Sequence, residues 1–299
     1  MELTARIKKI RSKKATNYTN TQFCGQSTEL FLVLISIIGY SFFVAFLFLA
    51  FFIIGSAVGS FLNVVIDRVA KGESVVFGRS YCDHCHATLS SVDLIPIVSF
   101  VGLGGRCRYC KKKISRQYPL VEALTGILFV LTFYYSLVWQ SFSLVNLVYY
   151  LFILCTLIVV FVIDLKFSLI PTTFVFAASL LALLRNYFYL NSYDFVIGVV
   201  SAFGIAASFL AVVFVTRGRG MGTGDIPLVF LLALFLGWPN NLAAVFLAFV
   251  AGAVVSLALL FAGKKKFGQT IPFGPFLIAG AVAVFFWGER LISWYLGFL

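Results

Sequence analysis

The chain has 299 residues, of which 61% are apolar and 11% charged, and its mean hydropathy is +1.02. A soluble domain of this size carries roughly a quarter charged residues. Several apolar runs reach the roughly 20 residues that cross a hydrocarbon core. The composition therefore predicts an all-α polytopic membrane protein and excludes disordered, collagen-like and small disulfide-rich secreted classes. The excess of 23 Lys and Arg over 11 Asp and Glu reads as the mark of cytoplasmic loops rather than of a nucleic-acid partner.

Residues 1–29 form a polar, basic extension, and the apolar run Leu30–Ile66 places a first helix near 37–64. Gly55, Gly59 and Ser60 give that helix a small-residue face suited to close packing, although glycine is also commonly tolerated in lipid. Residues 67–117 form a polar loop with nine Lys and Arg and four of the six cysteines. Further apolar segments follow near 118–138, 143–164, 170–189, 194–216, 226–238, 241–262 and 271–288. About eight transmembrane helices are thus expected, the sixth being short for a crossing. The expected division is the extension 1–29, the first two helices with their loop over 30–140, and a six-helix core over 141–299.

If loop 67–117 is cytoplasmic, alternation puts 165–169, 217–225 and 263–270 on the same side. Those loops bring Lys166, then Arg217 and Arg219, then Lys264, Lys265 and Lys266. The loops near 139–142, 190–193 and 239–240 hold no basic residue, as the positive-inside rule expects. The basic extension alone falls on the wrong side of this count. It is too long a basic tail to read as a cleavable signal peptide.

Cys82-Asp-His-Cys85 and Cys107-Arg-Tyr-Cys110 are two C-x-x-C pairs separated by 21 residues. Four thiolates in two such pairs suit a closed, structural zinc site. A redox dithiol, or His84 or His86 as a replacement ligand, are the competing readings. Cys155 in an apolar run reads as packing, and Cys24 is unassigned.

With eleven acidic residues, each can be placed. Glu2, Glu29, Glu73, Asp83, Asp93, Asp194 and Glu289 fall in tails, loops or helix ends, where a solvated role is the default, and Asp67 follows the first helix beside Arg68. Glu122, Asp164 and Asp225 lie at or within apolar segments, where an ionisable group is a functional candidate. Asp164 ends the run Leu157–Ile163, and a carboxylate at a helix C-terminus opposes the macrodipole. Asp225, in Gly222-Thr-Gly224-Asp225-Ile-Pro227, could alternatively cap the next helix. As a pair at one membrane depth, the aspartates suit aspartic-protease chemistry, in which one carboxylate is ionised and the other holds a proton. Gly222 and Gly224 would let backbone approach an extended substrate. A transporter using Asp164 and Asp225 as a proton or cation relay is the rival from another class.

These residues resemble those of the bacterial type IV prepilin peptidases, leader peptidases that are also N-methyltransferases. The resemblance runs from Gly55-Ser-Ala-Val-Gly-Ser-Phe-Leu-Asn63 through the paired C-x-x-C loop to Ser115-Arg-Gln-Tyr-Pro-Leu-Val-Glu122. It continues with Ile163-Asp164, Ile170-Pro171, Gly220-Met-Gly-Thr-Gly-Asp225 and Ile271-Pro-Phe-Gly-Pro-Phe276. It implies a zinc-bearing cytoplasmic loop, catalysis by Asp164 and Asp225, and a six-helix peptidase core over 141–299 in the bacterial cytoplasmic membrane. The implied substrate is a prepilin or pseudopilin leader, cut after glycine on the cytoplasmic side. The implied second step methylates the new N-terminal residue from S-adenosylmethionine, with Glu122 the candidate anchor for the substrate amine or cofactor, or else the buried partner of Arg116. Thr172 stands where the family usually has aspartate, and Pro227 where it usually has lysine.

Overall fold

The computed structural model describes residues 22–75, 78–138, 142–218, 221–263 and 271–297, with side chains from residue 43 onward, those of 295–296 excepted. The extension up to residue 21, Arg219, Gly220 and Lys264, Lys265 and Lys266 lie outside these residues, as does the Cys24 side chain. All eight apolar segments are helices: α1 (Gln22–Lys71), α3 (Gln117–Val138), α4 (Leu144–Phe167), α5 (Thr172–Tyr189), α6 (Ser192–Val215), α7 (Asp225–Leu236), α8 (Asn240–Phe261) and α9 (Gly274–Leu296). A five-residue helix, α2 (Val98–Gly102), lies in the polar loop. The chain divides into two compact units, Met1–Phe51 and Phe52–Leu299. In the first, the described residues are the opening half of α1, which begins at Gln22 rather than near 37.

The second unit holds everything else. Among the described residues, six helices are long and apolar enough to cross a membrane, and α5 and α7 are not among them. At 12 residues, α7 is about 18 Å long, well short of a roughly 30 Å hydrocarbon core. It is apolar on every side because it is surrounded by protein: Leu228, Val229, Leu231, Leu232, Ala233 and Leu234 are all buried. It packs against α5, α6, α8 and α9. α5 carries Arg185, whose guanidinium stacks 5.3 Å from the Tyr149 ring.

α4 is shared by two cores. Ile153, Leu157 and Val160 face the α7 core, while Ile158, Val159, Val162 and Ile163 join Leu62, Val65 and Ile66 of α1 and Val121 and Leu128 of α3. Apolar burial gives little drive between helices in lipid, so close packing must hold them. The small-residue face of α1 supplies it: a Cβ at Gly55 would lie 2.8 Å from Phe129, and one at Gly59 2.8 Å from the Glu122 Cα. Asn63 fastens the same crossing by donating to the Tyr118 carbonyl at 3.1 Å.

Candidate active site and metal centre

Among the described residues, the ends of α1 and α4 and the start of α3, which border the loops 67–117 and 165–169, share one end of the bundle. Lys166, just past Asp164 on α4, lies 3.6 Å from Asp67 near the end of α1, and the Tyr118 hydroxyl donates to the other Asp67 oxygen at 2.8 Å. Asp67 therefore joins three helices, whereas its neighbour Arg68 turns to the loop and donates to the carbonyls of Ser74, Val75 and Gly78.

Asp164 and Asp225 meet at this end. Asp164 lies in the last turn of α4 and is 4% exposed. Asp225 is the first residue of α7 and is 6% exposed. Gly224, not Asp225, occupies the N-cap of α7, and no side chain caps that end. The capping reading of Asp225 therefore does not hold. A Cβ on Gly274 would touch both Asp164 Oδ2 and Leu228, one turn along α7 from Asp225, so the two carboxylates lie at one junction of α4, α7 and α9. Oδ2 of Asp164 is buried, and the backbone N–H of Gly274 at the start of α9 is the donor turned toward this carboxylate.

Three glycines border the pair. A Cβ on Gly222 would lie 3.6 Å from Asp225 Oδ2, and one on Gly224 3.2 Å from the Ile170 Cβ. The Ile170-Pro171 turn is thus seated against the loop that delivers Asp225. Gly274 is the residue that the individual side chains of the sequence did not single out. It opens α9, and a Cβ there would collide with Asp164 Oδ2 and sit 3.4 Å from Leu228 of α7. Its signal was the Ile271-Pro-Phe-Gly-Pro run, in which proline in the first helical turn has no needed N–H to lose.

The cysteine loop folds into two matching knuckles. Cys82 N–H donates to the Ala87 carbonyl and His86 N–H to Cys82, while Cys107 N–H donates to Lys112 and Lys111 N–H to Cys107. His86 and Lys111, each just after a second cysteine, have φ of 55° and 59°. Single antiparallel bridges, Tyr81 to Thr88 and Arg106 to Lys113, close the two turns. All four sulfurs lie within 4.8 Å of one another, and those of Cys82 and Cys110 are 3.9 Å apart. Tetrahedral zinc with 2.3 Å bonds would set sulfurs about 3.8 Å apart, so the set fits the metal. Neither His84 nor His86 belongs to this cluster; His86 lies against the Tyr81 ring. Backbone N–H groups, those of Cys110 and Tyr109, point at the Cys107 sulfur and draw its thiol down, while the crowding of the other three sulfurs pushes the Cys85 thiol up.

Asp93 has a more specific place than a solvated loop acid. Its side chain is buried, accepting from Arg108 Nε at 2.6 Å and from the Ser90 hydroxyl at 2.8 Å. Burial works to raise its carboxyl, but the Ser90 and Arg108 hydrogen bonds outweigh it and hold the group below the usual carboxylate range. Glu122 does not pair with Arg116. Its Oε2 accepts the Ile97 backbone N–H at 2.7 Å, tying the loop to the second turn of α3.

Residues 53–136 match the Bacterial Peptidase A24 N-terminal domain, and residues 151–257 match the Type IV leader peptidase family. The first match takes in the cysteine loop and the second both aspartates. The chain is 31% identical to the prepilin leader peptidase/N-methyltransferase of Stutzerimonas stutzeri, over 82% of this chain and 92% of the relative. The corresponding Bacillus subtilis protein is 32% identical over 82% of this chain and 96% of its own length. That of Legionella pneumophila is 29% identical over 85% and 96%. No solved structure gives a significant match.

Proposed function

The chain belongs to the prepilin leader peptidase/N-methyltransferase family, and from that premise we propose that it is a membrane aspartic endopeptidase that cuts type IV prepilin and pseudopilin leaders after glycine, at the cytoplasmic face, with Asp164 and Asp225 as its catalytic pair. Membership makes the chain an enzyme, so the paired carboxylates are read as catalytic and not as a transport relay. The observation that carries the proposal is the arrival of two buried carboxylates at facing helix ends, where α4, α7 and α9 come together.

Two such groups share one proton, because both cannot ionise cheaply at close range. The ionised member removes a proton from water as that water attacks the scissile carbonyl. The protonated member donates to the carbonyl oxygen as charge develops there. The gathering of the loops at this end suits a substrate whose polar leader leaves the membrane where its apolar helix begins. The test is incubation of the detergent-solubilised protein with a prepilin, reading the product N-terminus by mass spectrometry. A product beginning just after glycine is expected, and an uncut prepilin would refute the proposal.

The face is tested by labelling. Arg217→Cys lies in the loop before Asp225 and Tyr193→Cys at the start of α6, the opposite end. In intact cells an impermeant thiol reagent is expected to reach the cysteine at position 193 and not that at 217. The reverse result would move cleavage to the other membrane face.

The proposed cofactor of the loop is one structural zinc held by Cys82, Cys85, Cys107 and Cys110. When bound, it would fix the two knuckles to one another, and no catalytic step passes through it. Purified protein is expected to hold about one zinc per chain. Cys107→Ser should lower both metal content and folded yield, since ligand loss is felt as folding free energy. Full zinc content in that variant would remove Cys107 from the ligand set.

Methylation of the new amino terminus from S-adenosylmethionine is the proposed second activity, with Glu122 its candidate anchor. Glu122→Gln retains an oxygen for the Ile97 N–H, so the loop should stay attached. The expected product is cut but lacks the methyl group, which the same mass spectrum reads. Normal methylation would end this role for Glu122, and loss of both reactions would make it structural.

A further inference from the structure

The segment between the two knuckles carries an apolar face that the peptidase reading does not use. It comprises a 3₁₀ turn (Ser91–Leu94), Pro96 and α2, and its Val92, Ile95, Val98 and Val101 side chains are exposed, the last two at 66% and 70%. In water, an exposed patch of this kind marks an interaction site.

The depth of the segment is fixed by geometry. Ile97 N–H is bonded to Glu122, the sixth residue of α3, which begins at Gln117 and is one of the helices long and apolar enough to cross a membrane. At 1.5 Å per residue, Glu122 lies about 7 Å along the axis from the helix start, and its side chain leans back toward that start. The segment therefore meets α3 within its first two turns. To get there the chain makes a tight reversal at Ile97, with φ 60° and ψ −49° and the Val98 N–H donating to the Pro96 carbonyl. A γ-turn of this hand is rare, and a β-branched residue adopts it only where surrounding contacts impose it. The Glu122 bond is such a contact.

Charge surrounds the face on the knuckle side. Arg106, Lys111, Lys112, Lys113 and Arg116 are exposed and make no ion pair among the described residues. A groove of about 310 Å³ runs along the segment, lined by Val92, Ile95, Val98, Leu103 and Arg108 among others. Arg108 at its edge is paired with Asp93, so the charge left for anionic headgroups is that of Arg106, Arg116 and the three lysines, beside apolar walls that suit acyl chains.

We infer that Ser91–Leu103 is an interfacial anchor, seated at the boundary between headgroups and acyl chains, with Val92, Ile95, Val98 and Val101 toward the acyl chains and the basic knuckle residues against anionic headgroups. Short apolar segments flanked by Lys and Arg bind bilayers in this way. The anchor holds the metal-binding knuckles against the membrane surface.

The test uses the full-length, zinc-loaded protein in phosphatidylethanolamine–phosphatidylglycerol vesicles. A nitroxide attached through a genetically encoded ketone side chain at position 98, 101 or 112 leaves the cysteines untouched. Collisions with lipid-soluble oxygen are expected to exceed those with a water-soluble nickel chelate several-fold at positions 98 and 101, and the order should reverse at position 112. Nickel dominance at 98 and 101 would overturn the anchor, as would shielding from both reagents, which would mean that protein covers the face. In phosphatidylcholine vesicles, without anionic headgroups, the oxygen-to-nickel ratio at position 98 should fall. An unchanged ratio would overturn the role of the basic residues.

Discussion

Asp164→Asn and Asp225→Asn are each expected to lower leader cleavage by about 10³-fold, the scale of a positioned acid or base. The protein should still insert in the membrane and elute as a single species, because asparagine keeps the shape of aspartate and removes only its ability to ionise. Neither single variant should retain more activity than the double variant, since two groups that share one proton act as a unit. Asp164→Asn should also be no less stable than the parent. It replaces a buried carboxylate by a neutral amide that costs less to bury and keeps an oxygen for the Gly274 N–H. The measurement is the initial rate of prepilin cleavage beside the thermal midpoint. Substantial cleavage by both single variants would refute the aspartyl mechanism.

Gly274→Ala is expected to cost about 10²-fold in the same assay, although residue 274 has no side chain and offers no catalytic group. A displacement of the reacting groups by about 1 Å is enough for such a loss. The added Cβ would fall on Asp164 Oδ2, with Leu228 of α7 behind it. The carboxylate must then turn away or the start of α9 must back off, and either movement disturbs the alignment with Asp225. The matched control is Gly198→Ala in α6, where a Cβ would meet nothing within 4 Å, and alanine is the better helix former. Full activity for Gly274→Ala would show that the carboxylate has room to move and that the close approach of α9 is not needed.

What the sequence determined by itself was local or anomalous. Eight apolar runs became eight helices because a chain in lipid must satisfy its own backbone, and a helix does so within one segment. The cysteine knuckles were legible because a C-x-x-C turn is built from consecutive residues, which the structure repeats bond for bond at Cys82 and Cys107. Asp164 and Asp225 stood out because a carboxylate in an apolar run is costly, so its presence asks for a reason.

The tertiary structure decided what depends on who the neighbour is. Hydropathy treats lipid and protein interior as one solvent, so it marked α7 only as a short apolar segment, and the structure shows its 12 residues buried among α5, α6, α8 and α9. It placed the start of α1 near 37, because the run Leu30–Ile66 is longer than one crossing needs and was trimmed to that length, whereas the helix extends back through the polar residues to Gln22. Composition set Asp93 in solvent, but its burial comes from Ser90 and Arg108 folding over it. Glu122 was visible as a buried acid, yet its partner is the backbone N–H of Ile97, and a backbone donor leaves no trace in the identity of the residue that carries it. Gly274 was hidden for the same reason in reverse. Its contribution is the room it leaves for Asp164, and only the packing of α9 against α4 and α7 shows where that room is required.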